Sequence, residues 1–241
     1  MTNPNGPYPG RQIFVGLTQD GNPALAYFVS GRSPGSRERK ATRWENTIII
    51  GPLGDVAYDS LKHYTALQND TATGMLALTN GIQTQAIFET YKLLYNVGSE
   101  PDTAYLKLLM EGAAFEPDAL NTPRIAAVLT GPEGNMGTVQ MVSVIERDAE
   151  AFTARVEPEA GVFTGVSTYA GDLENPLPFD TGSPLPRLKV EGKTAAEIAE
   201  YVYGISEATS NGEDIRVCAI GGVYSKEKND WDLAIINRHT D

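Results

Sequence analysis

The chain of 241 residues contains a single cysteine, Cys218, so it can form neither an internal disulfide nor a cysteine-based zinc site. Flanked by Val217 and Ala219 in an apolar run, Cys218 reads as a buried small residue rather than a nucleophile. His63 and His239 are the only histidines, which removes a His-rich metal centre and leaves open only an all-oxygen Mg²⁺ site. No apolar run approaches the ~18 residues that a membrane span needs. The opening Met1 to Gly10 has neither a basic nor an apolar targeting region, and a cytoplasmic location is expected. Cations are also scarce: 19 Lys and Arg stand against 31 Asp and Glu, a formal net charge of -12. A general nucleic-acid binder needs the opposite balance, because it must displace counterions from phosphates. A small anionic ligand is still compatible, since a few clustered arginines can dominate the field inside a cleft.

What remains is an ordinary globular composition, 41% hydrophobic and 21% charged. The length suffices for a real core. With no repeat, low-complexity tract or evident linker, a single domain over 1-241 is expected, with a flexible leader at 1-7. Short apolar runs bounded by Gly, Pro and Asn recur, the pattern of strands and tight turns. Ile13 to Leu17 and Ala24 to Val29 flank Gln19-Asp20-Gly21-Asn22, a hairpin signal. Further strands are expected at 47–50, 75–78, 125–129, 139–145 and 162–168, and a last pair, 216–224 and 231–237, around a polar turn at 226–230. Helical spacing appears across Gln85 to Asn96, around Tyr105, Leu108 and Leu109 with Asp102 or Thr103 as cap, and at Ile198, Val202 and Ile205. Thr194 with Glu197 forms a capping-box pattern before the third helix. Strands gathered towards both ends with helices between favour α+β over a doubly wound sheet, as two mainly antiparallel sheets packed together with helices outside. The proline-rich stretch from Leu173 to Pro186 reads as a long surface loop that either covers a site or connects two elements.

Four segments could carry chemistry. Val29 to Lys40 packs three arginines, one lysine and three serines into a Gly/Pro-containing loop after a strand. Arginine forks, hydroxyls and close backbone approach at glycine together suit a phosphate, although a solvated basic loop has the same composition. The Walker pattern is absent. Phe115 to Arg124 supplies Glu116, Asn121, Thr122 and Arg124 where a helix gives way to a strand, also a common setting for a plain connection. Asn80-Gly81-Ile82-Gln83-Thr84 offers amides for a base or carboxamide, or simply a turn before a helix. Lys62-His63-Tyr64 is the fourth, with Tyr64 equally at home in a core.

In this order, these segments resemble the archaeal-type IMP cyclohydrolase family. Tyr8-Pro9-Gly10-Arg11 is similar to the family's Tyr-x-Gly-Arg start, and Ala26-Tyr27-Phe28-Val29-Ser30-Gly31-Arg32-Ser33 to its Ala-Tyr-x-Val-Ser-x-Arg-Ser, with Arg37 in its Asn-Arg position. Asn121-Thr122-Pro123-Arg124-Ile125-Ala126, preceded by Phe115-Glu116, resembles its Asn-Thr-Pro-Arg-Ile-Ala run, and Asn80-Gly81 matches as well. The likeness spans roughly residues 8 to 240. It departs in the leader before Tyr8 and at Pro117-Asp118-Ala119-Leu120. The resemblance implies a four-layered αββα sandwich like that of the N-terminal nucleophile hydrolases, without the processed nucleophile. It implies closure of the purine ring of a formamido-carboxamide ribonucleotide (FAICAR) to inosine monophosphate (IMP), with no cofactor and no metal. By resemblance, Tyr64 and Glu116 transfer protons. Arg32, Ser33 and Arg37 hold the 5′-phosphate, and Asn80, Gln83, Asn121, Thr122 and Arg124 contact the rest of the substrate. Two rivals stand beside this reading: a substrate-drifted or non-catalytic purine nucleotide-binding protein, and an amidohydrolase using Thr2 as N-terminal nucleophile. The partner expected in every case but the last is a purine nucleotide. A homo-oligomer is open to an acidic two-sheet protein of this size.

Overall fold

The structure, a computed structural model, describes residue 6 and residues 8–131, 138–146 and 148–239. Apart from Gly6, the leader at 1-7, with Thr2 in it, lies outside the described residues. The chain opens with β1 (Arg11–Leu17) and β2 (Pro23–Ser30), makes a single helical turn α1 (Pro34–Arg37), then runs β3 (Arg39–Trp44), β4 (Thr47–Pro52), β5 (Tyr64–Asp70) and β6 (Met75–Thr79). Two helices, α2 (Thr84–Asn96) and α3 (Thr103–Ala113), precede β7 (Ile125–Leu129), β8 (Gln140–Ile145), β9 (Ala151–Arg155) and β10 (Val162–Ser167). After the short β11 (Tyr169–Ala170), β12 (Leu177–Pro178) and β13 (Arg187–Lys189) come α4 (Ala195–Ile205), the two-residue β14 (Thr209–Ser210) and β15 (Glu213–Asp214), and the long pair β16 (Arg216–Ser225) and β17 (Asp230–Asn237). This is a sheet-rich α+β chain.

Two antiparallel sheets dominate. One runs β13-β10-β1-β2-β16-β17, and the other is a meander in chain order from β3 to β9. Period-two alternation sends the side chains of each strand to two different cores. From β2, Leu25, Tyr27 and Val29 enter a cluster shared with Ile48, Leu67, Leu78 and Val142 of the second sheet. The intervening Ala24, Ala26 and Phe28 pack with Ile198 and Val202 of α4. From β7, Ile125, Ala127 and Leu129 face the shared cluster, while Ala126 and Val128 meet Ile87, Tyr91 and Leu106 of α2 and α3. Strands covered on both faces need apolar residues at consecutive positions, which is why β2, β7 and β8 are buried throughout.

Local chemistry sets the ends of these elements. Gly21 adopts φ +79 in the β1–β2 turn, where Gly21 N–H donates to Thr18 O at 2.9 Å, so the Asp-Gly hairpin forms as the sequence indicates. Asp102 caps α3 by accepting from Ala104 N–H at 2.9 Å, and Thr194 and Glu197 complete the capping box of α4. Three strands that the sequence does not announce, β3, β5 and β9, fill out the second sheet. Their sequences are polar on alternate or most positions, and β3 is an edge strand that carries Arg39, Lys40 and Arg43. Arg39 and Lys40 therefore belong to a strand, not to the basic loop. The stretch from Leu173 to Pro186 contains β12, which pairs with β11.

Candidate active site

One end of the two-sheet interior is polar. Arg11, at the first position of β1, sends its Nη2 donor to Oε1 of Glu116, and both side chains are buried. Glu116 sits just beyond α3, where its N–H donates to Thr122 O at 2.9 Å. Arg124 lies 4.0 Å from the same Oε1, and Asn80 Nδ2 lies 3.5 Å away. A carboxylate that is 2% exposed thus has two guanidinium groups and an amide on one oxygen. Buried charge is tolerated where it is paired and hydrogen-bonded in this way. The Glu116 carboxylate raises the already high pKa of Arg11 against the opposing effect of burial. Burial lowers that of Arg124, which the same carboxylate partly offsets.

The supporting bonds are local to β6 and β7. Asn80 Oδ1 accepts from Ile125 N–H at 2.8 Å, and its Nδ2 donates to Pro123 O at 3.0 Å. Gln83, at the N-cap of α2, donates to Asn80 Oδ1 at 3.2 Å and accepts from Arg124 Nη1 at 3.3 Å. Gly81 makes room for that guanidinium, since a Cβ there would lie 2.0 Å from Arg124 Nη1. Asn80 and Gln83 therefore spend their amides on the backbone, each other and Arg124.

Tyr64 begins β5 and meets Tyr27 of β2 across the gap between the sheets, hydroxyl to hydroxyl at 2.8 Å. Burial raises the pKa of both phenols. For Tyr64 the effect is opposed by Arg39, Arg11 and the Tyr27 hydrogen bond, while Glu116 adds to it. Burial also raises Tyr8, against the pull of Arg11, Arg32 and Arg39. Tyr8 stacks on Tyr169 with ring centres 5.8 Å apart, and burial raises the Tyr169 phenol to about 12. Thr122 links this wall to the Glu116 segment, bonding Tyr169 Oη at 2.6 Å and Asp118 Oδ2 at 2.5 Å. Asn121, exposed with φ 46, lines a cavity of about 420 Å³ with Phe115, Pro123, Tyr169 and Pro176. The proline-rich stretch thus forms one side of that cavity.

The basic loop behaves differently. Arg32 is half-buried and reaches Leu173 O at 3.5 Å. Ser33 is exposed and caps α1 in a reciprocal pair with Ser36. Arg37 is buried and pairs with the exposed Glu213 at 2.8 Å, while its Nη1 has no hydrogen-bond partner among the described residues. Of the residues singled out from sequence, the fold brings Glu116, Arg124, Asn80 and Gln83 into one bonded cluster. Asn121 stands on the adjoining cavity wall, Thr122 is buried behind it against Tyr169, and Glu116 acts electrostatically on Tyr64. Arg32, Ser33 and Arg37 share no bond with that cluster. Sequence reasoning gives no role to Arg11, Tyr27 or Tyr169, and it counts Arg39 only within the basic run. The available signal is a charged or hydroxylated residue inside an otherwise apolar strand, as at Arg11 and Tyr27. Among the described residues, no group of three or more His, Cys, Asp or Glu side chains is placed to hold a metal ion. No helix among them is long and apolar enough to cross a membrane.

Comparison with known proteins places the chain in a family. A family model described as IMP cyclohydrolase-like protein matches residues 8–229. The chain is 31% identical to the IMP cyclohydrolase of Methanocaldococcus jannaschii over 202 residues, 83% of this chain and 88% of the relative. To the IMP cyclohydrolase of Methanococcus maripaludis strain S2 it is 31% identical over 203 residues, covering 83% and 89%. To that of strain C7 of the same organism it is 32% identical over 201 residues, with the same shares.

Proposed function

The chain belongs to the IMP cyclohydrolase-like family, and on that premise we propose that it closes the purine ring of FAICAR to give IMP and water, the last step of de novo purine synthesis. The single observation that carries the residue assignments is the buried Glu116 carboxylate held between Arg11, Arg124 and Asn80.

The chemistry asks for proton movement and charge stabilisation at one centre. The carboxamide nitrogen bonds the formyl carbon and gives up a proton, while the formyl oxygen takes one up. In the second step the C–O bond breaks, the formamido nitrogen loses its proton and the oxygen leaves as water. Glu116 is the acceptor in this reading, since an ionised carboxylate only accepts. Tyr64, kept protonated by burial, is the donor to the formyl oxygen. Arg124 stabilises the developing charge, with Asn80 and Gln83 fixing Glu116 and Arg124 in place, Asn121 lining the cavity that receives the substrate and Thr122 holding its Tyr169 wall. Arg32, Ser33 and Arg37 bind the 5′-phosphate, which gives the unpartnered Arg37 Nη1 an acceptor. Nucleophile and electrophile both belong to the substrate, so no cofactor is needed, and holding them in attack geometry is a large part of the rate gain. The succession of α2 and α3, two sheets and α4 supports the αββα sandwich of the N-terminal nucleophile hydrolases, here a single cytoplasmic domain working without such a nucleophile.

The test is absorbance-monitored conversion of FAICAR by the purified protein beside Glu116→Gln. The variant is expected to lose about 10²–10⁴-fold in kcat with a much smaller change in KM. Undiminished turnover would remove Glu116 from the reaction. IMP binding without wild-type turnover would favour the non-catalytic nucleotide-binding reading.

A further inference from the structure

The Tyr27–Tyr64 contact joins two hydroxyls, and each hydroxyl carries one hydrogen. Only one of those hydrogens lies between the oxygens, so the other must point elsewhere. Tyr27 is 0% exposed, and its hydroxyl bonds nothing but Tyr64 among the described residues. Tyr64 is buried as well, at 3% exposure, so burial alone does not set the direction. The assignment of Tyr64 as donor to the substrate does, because a hydrogen handed to the substrate is not the one lying between the two oxygens. If Tyr27 donates, the spare hydrogen belongs to Tyr64. The Glu116 carboxylate acts on the Tyr64 phenol, and Cys218 on that of Tyr27.

We propose that Tyr27 is a positioning residue: its hydroxyl donates to Tyr64 Oη, turning the Tyr64 hydrogen towards the substrate and holding the oxygen after that hydrogen has been given up. This deepens the assignment of Tyr64 as proton donor and rests on it. The two phenols come from different sheets, β2 and β5, so the contact exists only once the sheets have packed. The charged and titratable groups acting on Tyr64 are Arg11 from β1, Arg39 from β3 and Glu116 beyond α3, together with Tyr27 itself. Cys218 of β16 acts on Tyr27. Removing the Tyr27 donor takes away a lowering influence on Tyr64, so Tyr64 should ionise at higher pH without it.

The experiment compares Tyr27→Phe, Tyr64→Phe and the double variant in FAICAR turnover, with thermal unfolding to confirm that each folds. In the wild-type background, Tyr27→Phe should lower kcat about tenfold and leave KM within about twofold, because the hydrogen bond to a charged oxygen disappears. The alkaline limb of kcat should move to higher pH. In the Tyr64→Phe background, Tyr27→Phe should have no further effect on kcat, since it acts only through the Tyr64 hydroxyl. An equal loss in both backgrounds, or an unchanged kcat and pH profile, overturns the proposal. NMR of tyrosine labelled at the phenolic carbon gives a readout independent of turnover, with Tyr64 assigned by the signal that vanishes in Tyr64→Phe. That signal should titrate at higher pH in Tyr27→Phe than in wild type, and an unshifted or lowered titration refutes the hydrogen-bond direction even if the protein proves inactive on FAICAR. Wild type that does not turn over while the titration shifts as expected refutes the proposed function alone.

Discussion

The basic run at 29–40, which ends in β3, and the segment at 115–124 look alike in sequence, each a short polar stretch joined to a strand, and they put their charges to different uses. In the first, Ser33 and Ser36 cap each other, Arg39 donates to Ser36 O and Lys62 O, and Arg37 pairs with an exposed Glu213. Most of its donors hold the loop in shape, leaving Arg32 and one nitrogen of Arg37 for a ligand. In the second, Glu116 and Arg124 turn inward and meet Arg11, which comes from 105 positions before Glu116 in the chain. A dense run of cations marks a place where an anion could bind. A buried carboxylate with more than one guanidinium group around it marks where charge has been gathered at the expense of desolvation.

Three substitutions sharpen that contrast. The largest effect is expected at Arg11→Ala, which leaves the Glu116 carboxylate buried without its closest partner and should cost about 3–5 kcal/mol of stability by urea denaturation. A loss under about 1 kcal/mol would mean that the pair behaves like a surface ion pair, and the distinction between the two regions would collapse. Arg32→Ala comes next. A guanidinium that holds the phosphate equally well in the ground and transition states contributes uniform binding. Its removal should raise KM about tenfold with little change in kcat, roughly 1.4 kcal/mol. A fall in kcat at constant KM would place Arg32 in the chemistry instead. The smallest effect is expected at Ser33→Ala, where loss of an N-cap costs about 0.5–1 kcal/mol in thermal unfolding. If stability is unchanged and KM rises as for Arg32→Ala, Ser33 is a ligand contact before it is a cap.

Much of the fold is legible in the sequence because it follows from local chemistry. The strands buried on both faces announce themselves as continuous apolar runs, and the helices through their spacing and caps at Asp102 and Thr194. The strands that leave no such mark, β3, β5 and β9, are polar enough to pass for loops, and they join the sheet by pairing with the apolar β4, β6 and β8 beside them in the meander. For the site, Glu116, Arg124, Asn80 and Gln83 stand out in the sequence, and the fold assembles them as a group. The use of the two amides is not legible there, since whether Asn80 binds a ligand or the backbone of Ile125 depends on where β7 lies.

The sequence by itself determined an acidic, sheet-rich α+β chain without a cysteine metal site, and the places where its strands turn and its helices begin. Those properties depend on residue type and on neighbours a few positions apart, where period, capping and turn chemistry act. Only the tertiary structure decided that Arg11 faces Glu116 and that Tyr27 touches Tyr64. Each pair spans different elements, and a charged or phenolic side chain inside a strand has no partner until packing removes water and brings the other element within hydrogen-bonding distance.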